Sequence, residues 1–469
     1  MTRAPAPHTL AAALATAVAL AGCAVGNDYA RPALDLPATH RGAVPSGSTS
    51  DSTLAARDWR DVFADPALRP LIDEALKSNL DLALAEARVR EAQAAVVIAR
   101  SGMLPNLSLG LQTSPTARLP GDTLTSSFIA AGFLSWEIDL WGRIRRGTEA
   151  ARADLAAREA ARYGVQVSLV AQTASSYFSL AALRESQEAT ERSAQLQRDS
   201  LRLMRRRNEA GIVSAAEVRQ AEGQLAGTEA LLPEVARQIS ATENGLALLL
   251  ARPPSPFVTG KTVLELPATL PTGLPTELLE RRPDLRQAEQ QLVAANARVG
   301  EAKALLLPSL SITGTFGRIS TELGDLLRSG SAQVASLGPN VVQPLYAGGS
   351  LTANRDLALA RLDGALIAYR ATALNALREV ADAVETYRRA AEAFDKQRTR
   401  VTAQREALRL ADKRFAAGVV SFIEVLDAQR QLLAAETDVV NARLAQQLGY
   451  VQLYRALGGG WPMSAAGGS

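Results

Sequence analysis

Along most of this chain apolar positions recur every three to four residues, the period of an amphipathic helix. The runs predict helices over 65–101, 145–209 and 214–250, then over 276–304, 350–416 and 421–456. Asp65-Pro66 opens the first as an N-cap followed by proline at the first helical position. At 1.5 Å per residue the 145–209 run is about 100 Å long and its neighbours about 55 Å each. Two flanking helices laid end to end therefore match one long helix, and the predicted shape is a tall helical column. Between the helices the period falls to two. In residues 308–317, Leu310, Ile312, Gly314 and Phe316 fall on one face and Ser309, Ser311, Thr313 and Thr315 on the other. In 106–112, Leu107, Leu109 and Leu111 alternate with Asn106, Ser108, Gly110 and Gln112. Ser127–Leu140 and Ser331–Leu345 supply return strands with weaker alternation.

The chain is written twice. Residues 79–110 align without gaps to 282–313, pairing Asp81 with Asp284 and Pro105 with Pro308. Further on, Gly211-Ile-Val-Ser matches Gly418-Val-Val-Ser, so each half runs helix, strand pair, long helix, glycine turn, helix. The expected organisation is a first repeat at 65–252, a Pro-rich linker at 253–275, a second repeat at 276–457 and a disordered tail at 458–469. Gly211 and Gly418 supply the positive φ that ends a helix. Glu424 and Asp427 lie on one face just inside the helix after Gly418, where the first half has Glu217 and Gln220. Acids there serve either helix capping or a charged mouth.

Composition narrows the chemistry. Basic residues number 51 against 48 acidic ones, so nothing points to nucleic acid. Both histidines, His8 and His40, precede the repeats, which removes a histidine-based metal site or triad from the body. No glycine-rich phosphate loop is present either, and these features argue against an enzyme and against a cofactor or metal requirement. Residues 1–22 carry Arg3 and an apolar run of signal-peptide length, followed by the single cysteine, Cys23. Leu20-Ala21-Gly22-Cys23 resembles the bacterial lipobox, which implies a diacylglycerol thioether and an N-acyl group on Cys23 and a lipidated tail over 23–64. Such acylation anchors a chain to a membrane without spanning it. Strands that are apolar on one side and small and polar on the other fit an outer-membrane barrel. The same alternation also serves an ordinary half-buried hairpin, and the anchor motif favours the barrel. Four strands cannot close a barrel, since the smallest spanning barrels have about eight. Chains must then share one, with eight strands from a dimer or twelve from a trimer.

An ordered set of motifs covers nearly the whole mature chain. It comprises Asn27-Asp-Tyr-Ala-Arg-Pro32, Trp59 to Pro66, Ser135-Trp-Glu-Ile-Asp-Leu-Trp-Gly-Arg-Ile-Arg145 and Arg281-Arg-Pro-Asp-Leu285. Leu307-Pro-Ser-Leu-Ser311, Pro344-Leu-Tyr-Ala-Gly-Gly349 and Gly418 to Arg430 complete it. The set resembles the outer-membrane factors of tripartite efflux systems, the TolC-like channels, in their NodT-type lipoprotein branch. That resemblance implies a homotrimer with a twelve-stranded β-barrel in the outer membrane, continuous with a twelve-helix periplasmic α-barrel. It implies a passive exit duct for small molecules. A periplasmic membrane-fusion adaptor would link it to an inner-membrane transporter of the resistance-nodulation-division (RND) type. It places Gly211, Ile212, Val213, Ser214, Gly418, Val419, Val420 and Ser421 at the adaptor-contacting tips, and Glu424 and Asp427 at a periplasmic gate. The competing reading, a periplasmic coiled-coil scaffold or adaptor lipoprotein, has no use for paired amphipathic strands and requires β-rich lipoyl-like segments that the chain lacks.

Overall fold

The computed structural model describes residues 24–35, 37, 39, 41, 54, 57–116, 125–258, 266, 278–327 and 331–459. Cys23, the signal segment 1–22 and residues 460–469 lie outside them. The chain divides into two compact units, each drawing on both sequence halves. One takes residues within 1–34, 87–160 and 287–371, the other within 35–86, 161–286 and 372–469.

The helices are α1 (Trp59–Val62), α2 (Leu68–Ser78), α3 (Leu80–Ser101), α4 (Arg143–Glu209), α5 (Ala215–Glu229), α6 (Leu231–Leu249), α7 (Leu278–Arg281), α8 (Pro283–Ala304), α9 (Ser350–Ala416) and α10 (Phe422–Ala456). The strands are β1 (Asn106–Thr116), β2 (Thr125–Ile138), β3 (Ser309–Ser320) and β4 (Ala332–Val342). Both α4 and α9 contain 67 residues, and neither holds a proline to interrupt its hydrogen-bond ladder.

Three expected helices are broken. The first begins at Leu68 rather than Asp65, because the buried Asp65 carboxylate accepts from Ala67 N at 2.8 Å and from the Tyr177 hydroxyl at 3.0 Å, holding the chain in a turn. It breaks again at Asn79, which is extended at φ −60°, ψ 132°. Asn79 Oδ1 accepts from Leu82 N at 3.0 Å, recapping the next helix, and its Nδ2 donates to Leu249 O at 3.0 Å. The 214–250 helix is divided at Ala230. Pro233, three residues on, cannot donate to the Glu229 carbonyl. The 276–304 helix is divided at Arg282, because Pro283 disfavours helical dihedrals in the residue before it and then serves as the first residue of α8. Arg282 is buried and bonds Asp284 at 2.7 Å, Glu379 at 2.7 Å and Ala456 O at 2.8 Å, joining the start of α8 to α9 and the end of α10. Within 458–469, Gly458 and Gly459 belong to the fold: they close α10 at φ +98° and +76°, with Gly459 N donating to Tyr454 O at 3.0 Å.

In the first unit the strands form one antiparallel sheet in the order β1-β2-β3-β4, so β1 and β4 are its edges. The start of α4 is fixed by Asp139, whose two carboxylate oxygens accept from Ile144 N at 3.0 Å and Arg145 N at 2.9 Å. Small residues let the helices approach closely. In the second unit a Cβ on Gly449 would stand 3.1 Å from Tyr387 Cα, so any larger residue there would push the two helices apart by a few tenths of an ångström.

Candidate functional site

Two places in the fold carry the features a function would use: the faces of the sheet and the paired glycine turns.

The register settles which side chains share a face. Leu107 stands opposite Leu134, which stands opposite Gly314 and then Leu337. Leu109 aligns in the same way with Gly132, Phe316 and Ala335, and Leu310 with Ile138 and Val341. Over these rungs one face is apolar through all four strands, although β2 and β4 alternate weakly by themselves; the next rung, Leu111 and Ala130, ends it with Arg318 and Gln333. This face is open: Leu109 is 89% exposed, Phe316 75% and Leu337 72%. Exposed apolar patches of this kind mark contact with lipid or with another protein. The opposite face carries Asn106, Ser108, Ser135, Ser311, Thr313, Thr315, Ser336 and Asn340 over the same span, with Ile129, Ile319 and Val334 beyond it. Phe133 is its aromatic exception, lying against Gly110, where a Cβ would be 3.3 Å from the ring. Trp136, Trp141 and Tyr346 all lie at the end where β2 and β4 finish, as aromatic side chains do at a membrane–water boundary. Trp136 and Trp141 are pinned by indole N–H bonds to Met103 O at 3.0 Å and Pro308 O at 2.7 Å.

In the second unit the two glycine turns come together. Leu201, Met204, Val218 and Ala221 from the first pack with Leu408, Ala411, Phe422 and Val425 from the second in one buried cluster. Gly211 and Gly418 share φ +73° and the same bond pattern. Ile212 N donates to Arg207 O at 2.8 Å and Val419 N to Arg414 O at 2.9 Å. Val213 and Val420 are half-buried, while Ser214 and Ser421 are exposed. Ile212 (69%) and Val419 (67%) project into solvent.

The carboxylates behave differently at the two turns. Glu217 forms a reciprocal capping box with Ser214, accepting from Ser214 N at 2.8 Å while Glu217 N donates to the serine hydroxyl at 3.3 Å. Glu424 occupies the same position in its repeat but makes no such cap; Arg414 Nη1 donates to it at 2.7 Å instead. Asp427 pairs with Arg430. Glu424 thus forms no capping box, and Glu424 and Asp427 each carry an arginine partner. Those arginines are absent from the candidate residues read off the sequence, although Lys413-Arg414 in the last turn of α9 is a visible signal. Nearby, Glu222 accepts from Arg205 at 2.9 Å and Arg219 at 2.7 Å, and these bonds hold its pKa below the usual glutamate value. Among the described residues no cluster of His, Cys, Asp and Glu could hold a metal ion.

A family model described as outer membrane efflux protein matches residues 71–252 and 274–459. The chain belongs to the outer membrane efflux protein family. It is 33% identical over 458 residues to the probable efflux pump outer membrane protein TtgC of Pseudomonas putida, covering 95% of this chain and 94% of that one. It is 30% identical over 454 residues to the cation efflux system protein CusC of Escherichia coli, covering 95% and 97%. The open-state MtrE outer membrane channel of Neisseria gonorrhoeae superposes with a TM-score of 0.82 at 31% identity, over 93% of this chain and 98% of that one. The fold is TolC-like, and the protein is an outer-membrane efflux channel with a large periplasmic portion. The family is one of channels, not of enzymes, and the scaffold alternative is set aside.

Proposed function

We propose that three copies of this chain form a single passive duct. Each would contribute its four strands to a twelve-stranded barrel and its helices to a twelve-helix tunnel, with export driven by an RND-type inner-membrane transporter through a membrane-fusion adaptor. The observation that carries this reading is the sheet, which has an apolar band on one face, from the rung of Leu310 to the rung of Leu109, and has β1 and β4 as its edges. In lipid every free strand edge costs several kcal/mol per unsatisfied group, so β4 of one copy must pair with β1 of the next until the ring closes. Cys23 would carry the diacylglycerol thioether and N-acyl group. Gly211 to Ser214 and Gly418 to Ser421, with Ile212 and Val419 outermost, would meet the adaptor tips.

In this reading Glu424 and Asp427 line a gate that Arg414 and Arg430 neutralise at rest. Adaptor binding would open it by favouring a helix arrangement in which those pairs are broken. The test is planar-bilayer conductance of the purified protein, with its mass measured in detergent. A trimer that conducts is expected; a silent monomer would end the duct reading. Arg414→Ala bares three carboxylates per trimer and is expected to raise cation preference, whereas Glu424→Ala bares arginines and is expected to lower it. Currents of unchanged selectivity in both would remove Glu424 from the gate.

A further inference from the structure

The first unit contains a feature that the channel reading does not use. Residues 24–31 form neither helix nor strand, yet they are bound along their length. Val25 N donates to Trp141 O at 2.9 Å. Arg146 of α4 donates to Gly26 O at 3.1 Å and to Asp28 Oδ1 at 2.9 Å, and its own side chain is only 7% exposed. Asn296 of α8 donates to Asn27 O at 2.9 Å. Arg31 grips Glu289 of α8 with two bonds of 2.6 and 2.7 Å, and the Tyr29 hydroxyl donates to the same carboxylate at 3.3 Å.

The groove is carved for this strap. A Cβ on Gly300 would stand 2.7 Å from Val25 O, and one on Gly26 would stand 2.8 Å from Gly300 Cα. The internal repeat supplies a control within the same chain. Shifting by the 203 residues that align Pro105 with Pro308 puts Val97 where Gly300 stands and Glu86 where Glu289 stands. Val97 and Glu86 are exposed, whereas Glu289 is buried at 7%. The second copy alone thus carries the gap and the sunken carboxylate. A buried carboxylate deprived of its cation is strongly unfavourable, so an empty groove is not a neutral state. Charge fixes the register chiefly at Arg31, which reads the sunken acid at 289; the Asp28 side chain is 94% exposed and shares Arg146 with Glu149, so that pair adds little.

We propose that α4 and α8 form a receptor groove for this chain's own N-terminal strap. The Arg31–Glu289 pair and the bond from Arg146 to Gly26 O key the strap into place, and the latch holds the chain on the fold from Ala24 to Arg31. Its consequence in the membrane rests on the acylation of Cys23; the docking itself does not.

Amide hydrogen exchange on the full-length protein, acylated and as Cys23→Ser, tests it. The Val25 amide, which donates to Trp141 O, is expected to be protected in both. Gly300→Val and Arg31→Glu are each expected to speed its exchange about tenfold or more while α4 stays protected. The double reversal Arg31→Glu/Glu289→Lys should restore protection, and Val97→Gly should change nothing. If Gly300→Val unfolds α4 as well, the charge-reversal set decides. A Val25 amide that exchanges freely in the wild type, stays protected in Gly300→Val with α4 intact, or gains nothing from the double reversal would overturn the latch. Protection lost in Cys23→Ser but unmoved by the groove variants would mean that lipid, not the groove, holds the strap. Protection kept in Cys23→Ser while mass spectrometry shows no acyl group on the wild type would remove the acylation reading and leave the latch standing.

Discussion

The two glycine turns are nearly the same sentence with different punctuation. An offset of 207 residues pairs Gly211 with Gly418, Ser214 with Ser421, Glu217 with Glu424 and Arg207 with Arg414, so each turn holds the same arginine, serine and glutamate at the same spacing. They are nevertheless wired differently, and the cause is one pair of unlike residues. The first turn has Asn208, whose side-chain amide donates to Val213 O at 2.8 Å and closes the turn by itself. The second has Phe415 there, 5.2 Å from the Phe422 ring. Arg207 lies 4.9 Å over the Phe415 ring, which takes it away from Glu217 and leaves that acid to cap with Ser214. Arg414 has no such ring to cover and bonds Glu424, so Ser421 goes without a side-chain cap. The first turn is closed by local caps, the second by a core aromatic and an ion pair, and only the second keeps its acid in a contact that a partner could exchange.

The largest break in this comparison is at Phe422, 2% exposed in the shared cluster, whose counterpart is the exposed Ala215. Phe422→Ala is expected to cost about 3–5 kcal/mol in the second unit, while the reciprocal Ala215→Phe should stay within about 0.5 kcal/mol, both read by denaturant melts. Equal losses would mean the turns share their core evenly. Next come the glycines. Gly211→Ala and Gly418→Ala should each cost about 1–2 kcal/mol, because both sit at φ +73° and neither lacks room for a Cβ. Unequal costs would show that the shared backbone geometry is strained at one turn only.

The sequence reveals the parts of this fold that rest on local rules. Proline-free runs mark out α4 and α9, and glycine followed by a hydroxyl residue marks both turns. Alternation in β1 and β3 reveals an amphipathic sheet, but the apolar face of β2 and β4 emerges only from pairing, as with Leu134 and Leu337 opposite Gly314. Pro233 and Pro283 are visible signals of two helix breaks, whereas the break at Asn79 depends on the Leu249 carbonyl, 170 residues away. The strap is illegible for the same reason: Arg31 and Glu289 are 258 residues apart, and nothing in Asn-Asp-Tyr-Ala-Arg says which acid it will meet. At the turns, arginine, serine and glutamate keep their types and spacing between copies and only neighbours such as Asn208 and Phe415 differ, so only the fold could show that one glutamate caps while the other pairs with arginine.

A smaller effect sharpens that last distinction. Ser214→Ala removes one partner of the capping box and is expected to cost about 1 kcal/mol, while Ser421→Ala, with no cap to lose, should cost only a few tenths. Thermal melts of the two variants side by side would measure it. A larger loss at Ser421 would mean that Glu424 exchanges between Arg414 and the helix end in solution.

The smallest expected effect is a response to acid at Glu222, added to that of the ion-paired acids, at a position where the second turn has no carboxylate. Glu222 is held below the ordinary glutamate pKa of 4.5 by hydrogen bonds from Arg205 and Arg219, in that order. A depressed folded-state pKa contributes stability that is complete above the unfolded value and disappears as pH falls through the folded one. The tie between α4 and α5 is therefore expected to hold above 4.5 and to loosen only below it. The counterpart of Glu222 is Gln429, which is buried, bonds the Ser200 hydroxyl at 3.1 Å and has no carboxylate to protonate. Hydrogen exchange of 202–222 relative to 409–429, followed from about pH 6 to about pH 3, should show protection falling at the first turn ahead of the second. Glu222→Gln should abolish the difference. The contribution is an exposed ion pair, so salt should shrink it as well. A drop of equal size at both turns would place the acid response in groups the two copies have in common, and the asymmetry at 222 and 429 would then have no part in it.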